Sequence, residues 1–430
     1  MGREQRRRQA LLAVAAACLY ATAGADELPP TSNYLGEIRR DANGKLTVMP
    51  APPGDIAGPV TAPTEGTTRI LRVGPGQRSR TVAAAAALAR DGDTIEIEAG
   101  TYPGDVAVWK QNNLTIRGVG GRARLVATGA SAEQKAIWVV RGGAIKVENI
   151  EFTGARVPDK NGAGIRLEKG RLVIRNCRFV DNENGILTAG GEAELEIENS
   201  EFGHNGAGDG YSHNLYVGSL RRLRVTGSYF HHAKVGHLLK SRAAENHILY
   251  NRLTDESGGR ASYELEFPNG GIAYVIGNII EQSATSENPN IISFGTEGYT
   301  RPTNELYLVN NTLIDNRPDS GTFLTVTPGA SVVKAYNNLL LGKRLLNTGI
   351  NGVFVNNPNI DAGTFVLADR HDYRIQRDSH LQRSFMSPGA ANGIELTPTM
   401  EYVHPVSTRR LMTTPTLAGA RQTLQPDNRY

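Results

Sequence analysis

The chain of 430 residues is long enough for a large core and nearly balanced in charge, with 47 Lys and Arg against 43 Asp and Glu. Residues 1–25 carry four Arg and one Glu, so their removal lowers the formal net charge from +4 to +1. A nearly neutral chain lacks the overall positive charge that drives binding to nucleic acid, and we expect no nucleic-acid partner.

The N-terminal segment has the three parts of a secretory signal peptide. A basic start at residues 3–8 precedes an apolar run at 10–20, and Ala-Gly-Ala at 23–25 forms a cleavage site. The apolar run is too short to span a bilayer, and no later run is long enough. We therefore expect a signal peptide over 1–25, cleavage near Ala25, a periplasmic or secreted protein, and no membrane anchor after cleavage. A lipoprotein signal at Cys18 is the second possibility.

The mature chain opens with a Pro-rich leader over residues 26–68. This segment lacks hydrophobic periodicity, which is typical of extended or disordered chain. An alternating strand follows at 69–73, and an alanine-rich helix follows at 81–89, with Ser79 or Thr81 as its N-cap.

Short strand-like units repeat from Leu114 onward. Their last residues recur every 23 to 33 positions, at Phe152, Phe179, Phe202, Phe230, Leu253, Ile280, Leu313 and Leu340. Each unit is too short to bury a face alone, so the repeat predicts an all-β parallel solenoid over residues 69–394. We expect asparagines to form ladders at the turns and the alanine-rich helix to close the N-terminal end. An antiparallel sandwich is the alternative fold. Residues 395–430 form a C-terminal tail that should lie along the outside or be loose.

A basic stretch from Gly210 to Ala244 is the strongest functional signal. It holds six Lys and Arg and four of the nine histidines of the chain, and it contains no Asp or Glu. Such a local positive field attracts an anionic partner, and clustered titratable groups are candidates for acid–base chemistry.

The start of the predicted solenoid carries a family resemblance. Val73-Gly74-Pro75-Gly76, the alanine-rich helix, Gly92-Asp93-Thr94-Ile95 and Gly100-Thr101-Tyr102 resemble the opening of secreted, pectate-lyase-like β-helix proteins. The resemblance implies a single-stranded right-handed parallel β-helix with an N-terminal capping helix. We expect a monomer that acts on an acidic polysaccharide.

A narrower similarity covers the end of the basic stretch. Lys240-Ser241, Asn246-x-Ile248, Asn269-Gly270 and Val275-x-Gly277-Asn278 are similar to chondroitinase B and the β-helix alginate lyases. In those enzymes a Lys of a Lys-Ser pair is the base, and an Arg one coil further on assists. This chain has Glu266-Phe267-Pro268 where that Arg would fall.

A polyuronate lyase must neutralise a carboxylate, remove the adjacent proton and protonate the leaving oxygen. A lysine crowded by other cations has a lowered pKa, so Lys240 beside Arg242 and His237 could act as base. These three residues are the candidate catalytic set. The candidate substrate-binding residues are His213, Asn214, Tyr216, Arg222, Arg224, His232, Glu264 and Glu266. Arg222 and Arg224 should alternate outward from their strand.

The direction of Lys240 depends on strand parity. If Leu215, Leu238 and Leu265 stack inside, Lys240 points inward unless its strand ends first, and we expect the strand to end near Lys240. Glu264 and Glu266 could hold a cation such as Ca²⁺, the one candidate cofactor, or could pair with Lys240 and Arg242. We prefer the pairing.

Two classes of function remain open at this point. One is a lyase or epimerase that acts on a uronate polysaccharide. The other is a non-catalytic β-helix that binds polysaccharide or handles exopolysaccharide. It would display aromatic side chains such as Tyr211 and Tyr216 along an outer groove.

Overall fold

A computed structural model describes residues 69–319, 321–346 and 349–424, and the backbone of two strands nearer the N-terminus. Those two strands, Gly36–Arg40 and Leu46–Pro50, pair antiparallel with each other within the predicted leader. The rest of the leader and the predicted signal peptide over 1–25 lie outside the described residues.

The chain from Ile70 to Ile360 winds as a right-handed parallel β-solenoid with three faces. The first face is a nine-stranded parallel sheet with strands Ala107–Trp109, Ala136–Val140, Ala163–Leu167, Asn184–Thr188, Leu215–Val217, Leu239–Ser241, Leu265–Phe267, Asn290–Phe294 and Thr322–Val326. The predicted fold class is confirmed, and every strand of this face lies parallel to its neighbours, which excludes the antiparallel sandwich.

The other two faces share one sheet of 21 strands. The second face holds Ile70–Val73, Ala144–Glu148, Arg171–Arg175, Glu194–Glu198, Arg222–Thr226, Glu245–Leu249, Ile272–Ile276, Glu305–Val309, Val332–Tyr336 and Val353–Val355. The third face holds Ile150–Thr153, Arg178–Val180, Glu201–Gly203, Tyr229–His231, Arg252–Thr254, Ile279–Gln282, Thr312–Asp315, Leu339–Leu341 and Asn359–Ile360. Two long strands, Thr94–Pro103 and Leu114–Val126, bend across both faces and join them into one sheet.

Stacks of identical side chains fill and close the coils. Phe152, Phe179, Phe202 and Phe230 form a continuous stack inside, with ring centroids 4.6 to 5.0 Å apart. The predicted asparagine ladders are present: each amide donates to the side-chain oxygen of the next along Asn251, Asn278, Asn311, Asn338 and Asn357. At the corner between the second and third faces, Asn and Gly adopt the positive φ that the turn requires, as at Asn176 and Gly277.

The helix Val82–Leu88 covers the N-terminal end of the core, as predicted. Thr81 is its N-cap and accepts a hydrogen bond from the backbone of Ala84. The buried residues Val82 and Ala85 belong to the same apolar cluster as the coils. No helix in the described part of the chain is long and apolar enough to cross a bilayer.

The C-terminal segment covers the outside of two faces. It forms 3₁₀ turns at Ala362–Thr364 and Ala368–Arg370 and three antiparallel pairs, Phe365–Leu367 with Asp372–Ile375, Ala390–Ala391 with Ile394–Glu395, and Met400–Val403 with Ser407–Arg410. Leu396 shares an apolar cluster with Tyr274 of the second face, and Tyr402 shares another with Ile314 of the third face. The clusters that this segment forms lie on the second and third faces, and polar residues line a cleft on the first.

Candidate functional site

The strand register places Lys240 in an outward column on the first face. Tyr216, Lys240 and Glu266 are paired in successive coils, while Leu239 pairs with Leu215 and with Leu265. The prediction that Leu238 takes the inward position was therefore wrong by one residue. Leu238 is also buried, but it lies at the corner before the strand Leu239–Ser241. Lys240 sits in the middle of that strand and points outward, so no strand termination is needed.

Two carboxylates hold the Lys240 ammonium group. Its Nζ lies 2.9 Å from Glu266 Oε2 and 2.9 Å from Glu297 Oε1. Burial alone would lower the pKa of Lys240, but the hydrogen bonds and charges of Glu297 and Glu266 outweigh it and raise that pKa above its ordinary value. The expectation that neighbouring cations lower the pKa of Lys240 is contradicted, because the carboxylates are closer.

Arg242 shares one of these carboxylates. Its Nη1 lies 2.7 Å from Glu297 Oε2, and its Nε donates to the Tyr216 hydroxyl at 3.0 Å. Glu297 thus bridges Lys240 and Arg242. The sequence did not reveal Glu297, because it lies 57 residues after Lys240. It belongs to the turn after Asn290–Phe294, which is the second first-face strand beyond that of Lys240. The glycines Gly295 and Gly298, which bracket that turn, are the only local signal.

Two buried histidines contact the outward column of Tyr216, Lys240 and Glu266. His213 Nδ1 accepts the backbone N–H of His237 at 2.9 Å, and burial, followed by the nearby cations, lowers the pKa of His213 well below its usual value. A neutral His213 must then carry its proton on Nε2. His237 Nε2 lies 2.8 Å from Glu266 Oε2. Burial lowers the pKa of His237, so the neutral ring donates its Nε2–H to the charged carboxylate.

Lys240, Arg242 and Glu297 line an open cleft of about 510 Å³ on the first face, whereas His237 and Glu266 lie behind its lining. Its lining residues are Asn161, Arg166, Leu187, Thr188, Gly210, Tyr211, His213, Tyr216, Lys240, Arg242 and Glu297. Arg166 is a third cation that sequence reasoning missed. Burial lowers its pKa, and its Nε has no hydrogen-bond partner among the described residues. The cleft therefore offers three cationic side chains against one lining carboxylate, that of Glu297, while the buried Glu266 contacts Lys240 from behind.

Five predicted binding residues lie away from the cleft: Asn214, Arg222, Arg224, His232 and Glu264. Asn214 is fully buried in a ladder, where it accepts from Asn205 and donates to the His231 carbonyl. Arg222 and Arg224 do alternate outward, as predicted, but they lie on the second face. His232 lies beyond the third-face strand Tyr229–His231.

The two glutamates considered for Ca²⁺ have separate surroundings. Glu266 pairs with Lys240, as preferred, and accepts a hydrogen bond from Thr296 Oγ1 at 3.0 Å. Glu264 is fully buried beside Gln282, and it pairs with neither Lys240 nor Arg242. Burial raises the pKa of Glu264 well above its usual value and so favours the neutral carboxyl group. The two side chains do not form a shared cation site.

Comparisons with known proteins agree with this architecture. A family model described as right handed beta helix region matches residues 105–278. No curated protein matches the sequence. The fold and this match define a right-handed parallel β-helix protein.

Among solved structures, the pectate lyase Pel9A is 14% identical, with a TM-score of 0.55 over 83% of this chain and 97% of that one. The alginate lyase AlyGC is 16% identical, with a TM-score of 0.38 over 74% of this chain, which spans about half (49%) of the AlyGC chain. A pectin methylesterase from Aspergillus niger is 14% identical, with a TM-score of 0.35 over 67% of this chain and 93% of that one. At these identities, the likeness to the pectate lyase shows the fold alone.

Proposed function

We propose that the first-face cleft binds an acidic, uronate-containing polysaccharide and that the protein acts on it as a lyase or epimerase. One observation carries the proposal: Lys240 and Arg242 together hold a single carboxylate, that of Glu297. The Glu297 side chain is 44% exposed at the cleft rim. A uronate carboxylate has the same charge and shape, so it can take the place of Glu297 between the two cations.

The surrounding groups fit the needs of proton abstraction next to a carboxylate. Arg242 supplies positive charge that stabilises the enolate-like intermediate, and Lys240 adds to it once it has taken up the substrate proton. The Tyr216 hydroxyl accepts the Arg242 Nε–H, which leaves its own proton free for the leaving oxygen. His213 adds an N–H donor from the floor of the cleft. His237 acts through Glu266 and is a positioning residue in this arrangement.

Lys240 can act as base only after it loses its proton. In the resting geometry both Glu266 and Glu297 oppose that loss. On the catalytic route the uronate carboxylate displaces Glu297 into solvent and then pairs with Arg242 alone. Lys240 keeps Glu266 as its remaining carboxylate partner among the described residues and releases its proton to solvent before it abstracts the substrate proton. Displacement of Glu297 is therefore the step that this mechanism requires.

Binding without catalysis is the second candidate function. The raised pKa of Lys240 favours it, because a lysine that keeps its proton binds anions but abstracts no proton. Tyr211, 85% exposed at the cleft, offers a ring on which a sugar can stack.

A lyase assay on the purified mature protein separates these functions. Alginate, polygalacturonate, chondroitin and hyaluronate are each incubated with and without Ca²⁺, and the unsaturated product is followed by ultraviolet absorbance. Proton NMR of the recovered polymer detects epimerisation. Lys240→Ala should lower the rate by at least about 100-fold. Lys234→Ala is the matched control, because Lys234 pairs with Asp181 away from the cleft. Binding with neither reaction would establish the second function, and absence of binding to all four polymers would refute both.

We also propose that residues 1–25 direct the protein to the periplasm or the medium as a monomer. Cells that express the full sequence are fractionated to locate the protein. N-terminal sequencing of the mature protein then gives the cleavage point, and light scattering gives its oligomeric state. A mature N-terminus near position 26 supports the proposal, and retention of Met1 in the cytoplasm would contradict it.

A further inference from the structure

Three histidines converge at a corner that the proposed polysaccharide site does not use. His231 ends the third-face strand Tyr229–His231 and pairs in register with Gly203 one coil earlier. His204 and His232 follow at the next position of each coil, and both have positive φ, 56° and 45°. The repeat of the coil therefore stacks His204 under His232, with their ring centroids 4.8 Å apart.

The ring nitrogens of these residues point toward one another. One nitrogen from each ring lies within 4.8 Å of the others, and they form the one such group of three ligating side chains among the described residues. His231 Nδ1 and His232 Nδ1 are 2.8 Å apart. In a tetrahedral Zn²⁺ site, two ligating nitrogens lie about 3.3 Å apart. The His231–His232 pair therefore has to separate by about 0.5 Å, and a pair at the 4.8 Å limit has to approach by about 1.5 Å through ring rotation.

The surroundings prepare the rings to act as ligands. Glu201 Oε1 lies 3.3 Å from His231 Nε2, which leaves Nδ1 as the nitrogen directed at His232. A carboxylate on the outer nitrogen is the usual support for a metal-binding histidine. Gly203 is required here because a Cβ at this position would overlap the His231 ring.

We propose that His204, His231 and His232 bind one divalent first-row transition cation of the Zn²⁺ or Cu²⁺ class. Three imidazole nitrogens select such ions over Ca²⁺ and Mg²⁺, which prefer oxygen ligands. His231 is buried and His204 is exposed, so the cation would be anchored at one side and open to solvent at the other. An open fourth position leaves room for a water molecule or an exogenous ligand.

Calorimetric titration of the untagged full chain with Zn²⁺ tests the site. We expect one Zn²⁺ per chain, and a Kd at least about tenfold weaker in the double variant His204→Asn/His232→Asn, because two of three ligands are lost. Asn tolerates the positive φ at both positions, so the variant should keep the fold, which circular dichroism checks. His380→Asn, which changes an exposed histidine elsewhere, should leave the Kd unchanged.

Electron paramagnetic resonance of the Cu²⁺-loaded wild type gives an independent readout that needs no variant. Nitrogen hyperfine structure is expected from directly bound imidazoles. Absence of that structure, absence of Zn²⁺ binding, or an unchanged Kd in the folded double variant would each overturn the assignment.

Discussion

Glu264 and Glu266 lie two residues apart in the chain, yet they should respond to pH in opposite directions. Glu266 accepts from His237 and pairs with Lys240, and these interactions overcome burial and lower its pKa from 4.5 to about 2. Glu264 is fully buried and has no cationic side chain paired with it in the described part of the chain, and burial raises its pKa well above 4.5. We therefore propose Glu266→Gln and Glu264→Gln as a matched pair of variants.

The expected magnitude follows from the pKa difference. A group whose folded pKa is lowered stabilises the protein above its unfolded pKa, and this stabilisation is lost as pH falls through the folded pKa. At about 1.36 kcal/mol for each pH unit, Glu266 contributes about 3 kcal/mol at pH 7 and about 1.4 kcal/mol at pH 3. The deficit of Glu266→Gln relative to wild type should therefore shrink by about 2 kcal/mol between these pH values.

Glu264 has the opposite sign. A carboxyl group with a raised folded pKa destabilises the protein progressively as pH rises above its unfolded value of 4.5. Glu264→Gln removes that penalty, so its stability relative to wild type should rise between pH 4 and pH 7.

Urea unfolding at pH 3, 5 and 7 measures both variants. Fluorescence of the buried Trp109 and Trp138 reports on the core, and circular dichroism reports on the sheets. Refolding from urea must first be shown to be reversible, because a free energy is defined only then. A deficit of Glu266→Gln that is independent of pH would refute the assigned ion pairs. A pH trend of the same sign in both variants would refute the contrast between the two environments.

Three further substitutions test the packing and the cleft. Phe202→Ala removes the centre of the phenylalanine stack and should lower the free energy of unfolding by about 3–5 kcal/mol, measured in urea. Asn278→Ala leaves the Ile248 carbonyl without its amide donor, which should cost about 1–3 kcal/mol and speed amide exchange in the adjoining turns; an unchanged exchange pattern would contradict this. Arg242→Lys keeps the charge but loses the fork that reaches Tyr216 and Glu297 together, so calorimetry should show roughly tenfold weaker oligouronate binding, while equal affinity would argue against the clamp.

The fold could be predicted because its stabilising contacts repeat at nearly constant spacing. The phenylalanines and asparagines of successive coils occupy equivalent positions, so the sequence period directly gives the stacked partner. The helix at the N-terminal end could also be predicted, because its N-cap Thr81 and its alanine run are adjacent in the sequence.

The cleft could be predicted only in part because its strands are three residues long. Two adjacent leucines, Leu238 and Leu239, precede Lys240, and either could take the inward position in an alternating strand. Only the pairing of Leu239 with Leu215 in the structure shows which one does. Glu297 and Arg166 enter the cleft from other coils. Neither belongs to the basic stretch, so charge clustering in the sequence could not reveal them.

The coil geometry also separates the two proposed sites. Lys240 belongs to the nine-stranded first face, and His231 belongs to the other sheet, at the third-face corner. Among the described residues, Lys240 pairs with Glu266 and Glu297, whereas His231 contacts Glu201 and His232, so the two sets have no charged member in common.

Changes at sites without shared partners usually act additively. Lys240→Ala should therefore leave the Zn²⁺ affinity unchanged, and His204→Asn/His232→Asn should leave oligouronate binding unchanged. If the histidine variant abolished both, the cation would belong to the polysaccharide site and the assignment of two independent sites would be wrong.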